Sequence, residues 1–273
     1  MLFLIDEKHP SQEYKVFPVT KMPSSAATPI PHLHLHTYFR SSCSARVRTA
    51  LHLKGLSSPE NLTYTFIPLL TSAQLSPTYT SLNPSASVPT LTVTPSANSN
   101  SDEKIIIRQS VAILEFLEEY FTGDGMMRLL PPPSDPVGRA RVRELVNIIS
   151  CDTQPVTNLR ILKKVKTLSD EGGGGGGDQA MKDWAKDFMG KGLEAYDRVA
   201  EAYAGRYSVG DEVTLADVCL VPAVEGALRY GVDVEGLGFG TVWRVFGELR
   251  GLDAFKRGGW RWQEDTPEEF RVE

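Results

Sequence analysis

The chain has 273 residues, is 41% hydrophobic and 23% charged, and carries a formal net charge of -5. That is the balance of a soluble globular protein with chain enough for one large or two small domains. It excludes the basic footprint of a general nucleic-acid binder, and no apolar run approaches membrane-spanning length. Cys43, Cys151 and Cys219 have neither disulfide-framework nor metal-ligand spacing, so no metal is expected and a reducing, cytoplasmic setting fits. The apolar start at Met1 to Ile5 is cut off by Asp6, Glu7 and Lys8, which is too short and wrongly flanked for a signal segment.

Residues 1–31 mix Pro, Ser, Lys and Thr without a sustained period and read as a poorly ordered extension. His32 to Phe39 then alternates as a strand does, with Leu33, Leu35, Thr37 and Phe39 on one face. The run Tyr38-Phe39-Arg40-Ser41-Ser42-Cys43-Ser44 leads from it into a helix whose stripe is Val47, Leu51 and Lys54 and which Gly55 stops. A helix start has unpaired N–H groups and partial positive charge, so an anion or thiolate is stabilised there. Two readings stand side by side. Ser41, Ser42 and Ser44 are ordinary caps with Cys43 as a small filler, or a hydroxyl here holds a thiolate supplied by the protein or by a bound thiol cofactor. Arg46 follows Cys43 without a second cysteine, so disulfide exchange within the site is not available. Arg40, Arg46 and Arg48 make a basic group in an acidic chain, either solvated helix-start arginines or an attraction for small carboxylates.

Leu62 to Leu70 reads as a second strand, 71–83 as a loop or short helix, and Asn83-Pro84 as a turn. Val88 to Val93 is a third strand opening on Pro89, where a cis turn would expose the backbone of Val88. Thr94 to Lys104 is a hairpin loop and Ile105 to Ile107 a fourth strand. Gln109-Ser110 caps an amphipathic helix that buries Ile113, Leu114, Leu117 and Phe121. The order β-α-β-(α)-β-β-α closes near Phe121, and Gly123 to Gly125 with Pro131 to Pro136 form a linker. From Arg139 the chain reads helical almost throughout, with Val142, Leu145, Val146 and Ile149 on a stripe continued by Leu159, Leu162 and Val165. Gly172 to Gly177 lacks the Gly-Lys-Ser/Thr ending of a phosphate loop and reads as a flexible insert. Trp184, Phe188, Leu193 and Tyr196 mark another helix. Thr214-Leu215-Ala216-Asp217 starts the apolar helix to Leu228, with Asp217 as a structural cap and Pro222 expected to kink it. A last helix, Trp243 to Leu249, precedes a polar tail.

An α/β thioredoxin-like N-terminal domain at 32–122, followed by an all-α C-terminal domain at 135–265 with a Gly-rich insert at 169–178, is the glutathione transferase architecture. The run at 38–44 with Arg46-Val47-Arg48 closely resembles the zeta class. Further matches are Leu82-Asn83-Pro84, Val88-Pro89-Thr90-Leu91, Gln109-Ser110, Gln154-Pro155, Asn158-Leu159, the stretch Val209 to Thr214, and Asp265-Thr266-Pro267. The resemblance covers 33–268. It implies glutathione as cofactor, held by Ser41, Ser42, Cys43, Gln74, Val88, Pro89, Gln109, Ser110, Gln154 and Asn158. Ser41 matches the hydroxyl that donates to the glutathione sulfur, with Ser42 and Cys43 beside it as catalytic candidates. The implied reaction is cis–trans isomerisation of maleylacetoacetate to fumarylacetoacetate in phenylalanine and tyrosine breakdown, by reversible addition of the thiolate. Arg229, which otherwise reads as an exposed helix-end arginine, is implied to meet a carboxylate of this small dicarboxylate, and Arg40 is a further candidate at the site mouth. The alternatives are a general transferase (conjugation, dehalogenation of small halo-acids, or peroxidase chemistry) and a non-enzymatic module of the same fold. A homodimer is expected by analogy. Thr157 and Ser87 depart from the glutamines common in the family at those positions. The loop 94–104, the segment 123–128 and the glycine tract look like surface insertions.

Overall fold

The computed structural model describes residues 30–95, 103–172 and 175–272. Of the expected features, residues 1–29 of the extension, most of the 94–104 loop and two glycines of the tract lie outside the described residues.

The first half runs β1 (His32–Thr37), α1 (Ser42–Leu53), β2 (Leu62–Phe66), a 3-10 turn at Ala73–Leu75, α2 (Pro77–Leu82), β3 (Thr90–Thr94), β4 (Ile105–Arg108) and α3 (Ser110–Tyr120). The sheet order is β2-β1-β3-β4, with β2 parallel to β1 and β3 antiparallel to both β1 and β4. Leu33 sits opposite Leu62 on one side and Val93 on the other, and Leu35 opposite Leu91. The period-2 alternation therefore puts one apolar row under α1 and α3, where Val47, Leu51, Ile113, Leu114 and Leu117 meet it. This is the thioredoxin-like half. The strands are shorter than their apolar runs. β2 ends at Phe66, before Pro68, which has no N–H for a ladder, and β3 starts at Thr90, after the cis Val88–Pro89 bond.

The second half is helical: α4 (Pro136–Asn147), α5, a single turn at Gln154–Thr157, α6 (Leu159–Glu171), α7 (Gly177–Ala200), α8 (Leu215–Arg229), α9 (Gly240–Leu249) and α10 (Asp253–Gly258). The run expected to stay helical from Arg139 is broken. A π-helical turn occupies Ile148–Thr153, and the Asn158 side chain accepts the Ile161 N–H to begin a new helix. Pro155, lacking an N–H, stands at that break. Leu162 is buried there, while Leu159 and Val165 are only partly covered. Asp217 caps α8 as expected, accepting the N–H groups of Thr214 and Ser208 at 2.8 and 2.9 Å, and Pro222 lies in the helix interior. The residues after Leu249 are no loose polar tail. α10 packs on α1, and Gly258 lies so close to Thr49 that an added Cβ would strike its backbone. α8 also packs on α1, so a single apolar core runs through both halves.

The larger correction concerns charge. Arg46 and Arg48 are 1% and 0% exposed, so neither is a solvated helix-start arginine, and Lys54 is equally hidden. The Lys54 ammonium lies 2.9 Å from Glu118 and donates to the carbonyls of Phe121 and Met127. Glu118 also accepts from Arg128 Nε at 2.7 Å and from the Leu129 N–H at 2.9 Å. Burial pushes the Glu118 carboxyl up, but the Leu129 N–H, Arg128 and Lys54 outweigh it and hold it below its ordinary 4.5. Its folded value is thus below the unfolded one. The stability it contributes is present above about 4.5 and is lost as pH falls through the lower folded value. Glu118→Leu alone leaves a buried ammonium and should cost about 3–5 kcal/mol in urea unfolding, whereas Lys54→Met with Glu118→Leu should recover most of that loss.

Candidate active site

The β1–α1 loop is built around Arg48. Its Nε donates to Gly258 O at 2.9 Å, its Nη1 to Thr37 Oγ1 at 2.8 Å and Tyr38 O at 3.2 Å, and its Nη2 to Phe39 O at 3.1 Å. Burial lowers this guanidinium to about 10, which leaves it charged at neutral pH. From the other side Asp265 Oδ2 accepts the Phe39 N–H at 2.9 Å. Arg40, Ser41 and Ser42 follow directly.

Ser41 is the N-cap of α1, and its Oγ accepts the Ser44 N–H at 3.2 Å. Its own hydroxyl hydrogen is uncommitted among the described residues. Ser42 differs: it donates to Gln154 Oε1 at 2.8 Å, a bond from the thioredoxin-like half to the helical half. Cys43 is half-buried beside them. On the next turn Arg46 Nη1 donates to Ser110 Oγ at 3.2 Å, tying α1 to the start of α3. Gln109 holds the N-cap position there with φ of +72° but makes no side-chain cap, so the helix-start N–H groups it was expected to satisfy stay open.

Val88, held before cis Pro89, packs with Tyr38 and Phe39 under the same loop. Gln74 lies on the 3-10 turn, and its Oε1 is buried without a partner. Arg46 Nε and Nη2 are likewise buried and unpartnered beside Ser110. Asn158 commits its amide to its own segment, accepting from Ile161 and donating to Pro155 O at 2.9 Å.

A cleft between the halves is lined by Arg40, Ser41, Ser42 and Ala45 on one side and by Pro222, Glu225, Arg229 and Trp260 on the other. The Arg229 guanidinium lies over the Trp260 ring at 5.8 Å. Of the residues expected from sequence, the cleft gathers Arg40, Ser41, Ser42 and Arg229, and Gln154 reaches them through Ser42. Gln74, Val88 and the start of α3 are not among its lining residues. Glu225 and Trp260 were not foreseen as parts of the site; Arg48 was read as a solvated arginine or an attraction for carboxylates and Asp265 as a family match, and neither was foreseen as a clamp on the loop. Glu225 left one signal, an acid four residues before Arg229 in a helix whose interior beyond the Asp217 cap is apolar, whereas the others depend on distant packing. Arg48→Lys cannot reproduce the planar fork. It should lose about 3 kcal/mol in denaturant titration through at least one unmet charge-assisted bond, with the cleft disordered in parallel.

Comparison with known proteins agrees with this geometry. Residues 40–120 match the family model for the glutathione S-transferase N-terminal domain, and residues 163–248 match that for the C-terminal domain. The chain is 51% identical to the maleylacetoacetate isomerase of Aspergillus fumigatus, over 89% of this chain and 96% of that protein. It is 37% identical to the Mus musculus maleylacetoacetate isomerase, over 87% and 97% of the two chains. The crystal structure of the maleylacetoacetate isomerase of Anaeromyxobacter dehalogenans, with GSH bound in its active site, superimposes with a TM-score of 0.72 at 35% identity, over 87% of this chain and 99% of that one. A maleylpyruvate isomerase described as a bacterial zeta-class glutathione S-transferase gives 0.72 at 33% identity, over 86% and 100%.

Proposed function

The chain belongs to the zeta class of the glutathione S-transferase family, and we infer that it carries out glutathione-dependent cis–trans isomerisation of maleylacetoacetate to fumarylacetoacetate in aromatic amino-acid breakdown. The observation that carries this reading is one cleft lined by both an uncommitted hydroxyl at a helix start, Ser41, and two arginines, Arg40 and Arg229. A thiolate and a dicarboxylate are the ligands such a cleft suits.

The residues around it suit glutathione. Among the buried polar groups without partners in the described residues are the Gln74 carbonyl oxygen, an acceptor suited to a peptide N–H, and two donor nitrogens of Arg46 beside Ser110. In this reading the Gln74 side chain meets the glycyl end, its carbonyl oxygen accepting the glycyl N–H rather than facing the carboxylate. The open N–H groups of α3 and the Ser110 hydroxyl, whose hydrogen is free because its oxygen accepts from Arg46, receive the γ-glutamyl carboxylate. The Val88 backbone pairs with the cysteinyl amide in β fashion, turned outward by Pro89. Gln154 fixes Ser42, and Asn158 holds the segment that carries Gln154. Cys43 packs beside the sulfur.

Bound glutathione supplies a thiolate that adds reversibly to the cis double bond and leaves after rotation about the resulting single bond. Ser41 donates to that sulfur. A hydrogen bond to a charged group is worth about 1.5–3 kcal/mol, which lowers a thiol by about one to two pKa units, and the start of α1 adds to it. Arg40 and Arg229 hold the substrate carboxylates on either side of the cleft, and the Trp260 ring keeps the Arg229 guanidinium oriented. A cytoplasmic homodimer is part of the same reading, supported by the exposed Leu70 and Leu75 between β2 and α2 and by three free thiols.

Maleylacetone absorbance, followed with and without glutathione, tests the function. The expected outcome is loss of the cis isomer only with glutathione present and none of it consumed. Net consumption would make the protein a conjugating transferase. In the same assay Ser41→Ala should lower kcat/KM by about 10- to 100-fold, the kinetic equivalent of one charge-assisted hydrogen bond. Arg229→Ala should raise KM for maleylacetoacetate by about tenfold with kcat little changed.

A further inference from the structure

Glu225 stands one helical turn before Arg229 on α8 and lines the cleft facing Arg40, Ser42 and Trp260. Its carboxyl group makes no hydrogen bond or ion pair among the described residues. Arg229, the nearest candidate on its own helix, lies over Trp260 instead. Arg40 in the β1–α1 loop and Arg229 on α8 line the cleft with Glu225, and the charges of Arg48 on α1, Arg250 just past α9 and Arg261 after α10 also bear on its carboxyl group. Burial nevertheless pushes its carboxyl up to about 7 against the pull of Arg229, Arg48, Arg261 and Arg250. An acid in a cleft that receives a dianion would oppose binding if it stayed ionised.

We propose that Glu225 is a specificity residue of this cleft: neutral, it donates a hydrogen bond to a carboxylate of the diacid lying between Arg40 and Arg229, and ionised, it repels that carboxylate. The proposal rests on the reading of the cleft as a dicarboxylate site. Glu225 keeps its proton throughout the reaction. It sets which ligand is accepted and at what pH, while the thiolate chemistry stays with Ser41. If only the neutral form binds, a carboxyl with a value of about 7 weakens binding about tenfold between about pH 6 and about pH 8.

The test is calorimetric binding of succinate to the full chain saturated with glutathione, at about pH 6 and about pH 8, for the wild type and Glu225→Gln. Succinate's own titration is common to both proteins, so the difference isolates Glu225. The expected result is an affinity loss about tenfold larger in the wild type than in Glu225→Gln, with the two proteins alike at the lower pH because the amide also donates. Glu225→Ala should be equally insensitive to pH but weaker than both at the lower pH, and it serves if the glutamine variant does not fold. Equal pH dependence in wild type and variants, or no succinate binding at either pH, would overturn the proposal. None of these readings depends on turnover, so the maleylacetone assay decides the isomerase reading separately.

Discussion

A single buried cation organises the site. A guanidinium removed from water is costly unless its donors find acceptors, and those of Arg48 find Thr37, Tyr38, Phe39 and Gly258. The fork is planar and rigid, so these acceptors are fixed relative to one another as well as to α1. Phe39 is gripped on both faces of its backbone, its carbonyl by Arg48 and its N–H by Asp265. The chain leaves this grip directly into Arg40 and Ser41, while Gly258 leads into the turn that carries Trp260. Arg40 and Ser41 on one wall of the cleft and Trp260 on the other are therefore referenced to one side chain that does not itself line it.

Two adjacent serines receive different chemistry from their place in the helix. Ser41, as the N-cap, uses its oxygen on the Ser44 N–H and keeps its hydrogen for something outside the chain. Ser42, one residue into the helix, directs its hydrogen across to Gln154. The same hydroxyl group keeps a free hydrogen at one position, the donor proposed for the thiol, and is an interdomain strut at the next. Cap geometry draws that distinction, because residue type does not differ.

Local pattern carried much of the fold. The alternation in β1, the apolar stripe of α3, the Thr214–Asp217 start of α8 and the turn at Pro89 each depend on neighbours within a few residues, and each stands where its pattern put it. The serine run at the start of α1 was legible for the same reason. What stayed hidden depends on residues far away in the chain. Arg46 is buried by a contact 64 residues distant, Arg48 by one 210 residues distant, and Ser42 is tied down 112 residues away. A charged side chain in a helix reads as solvated unless its acceptors are known, and backbone carbonyls, which supply most of those for Arg48 and Lys54, leave no mark in a sequence. The fold of the C-terminal segment was missed for the related reason that α10 is short and gains its stability from α1. The π turn and Asn158 cap likewise broke a helix that periodicity alone would have continued.

The Asp265 clasp has a temporal side. The carboxylate that holds the Phe39 N–H is made 226 residues after Phe39 itself. During synthesis the thioredoxin-like half can assemble its sheet and helices early, as N-terminal units generally do. Its β1–α1 loop, however, acquires two of its anchors, Gly258 and Asp265, only after α4 to α10 have been made. A nascent chain that has not yet made Gly258 and Asp265 would thus possess the serines without the anchors that hold their loop.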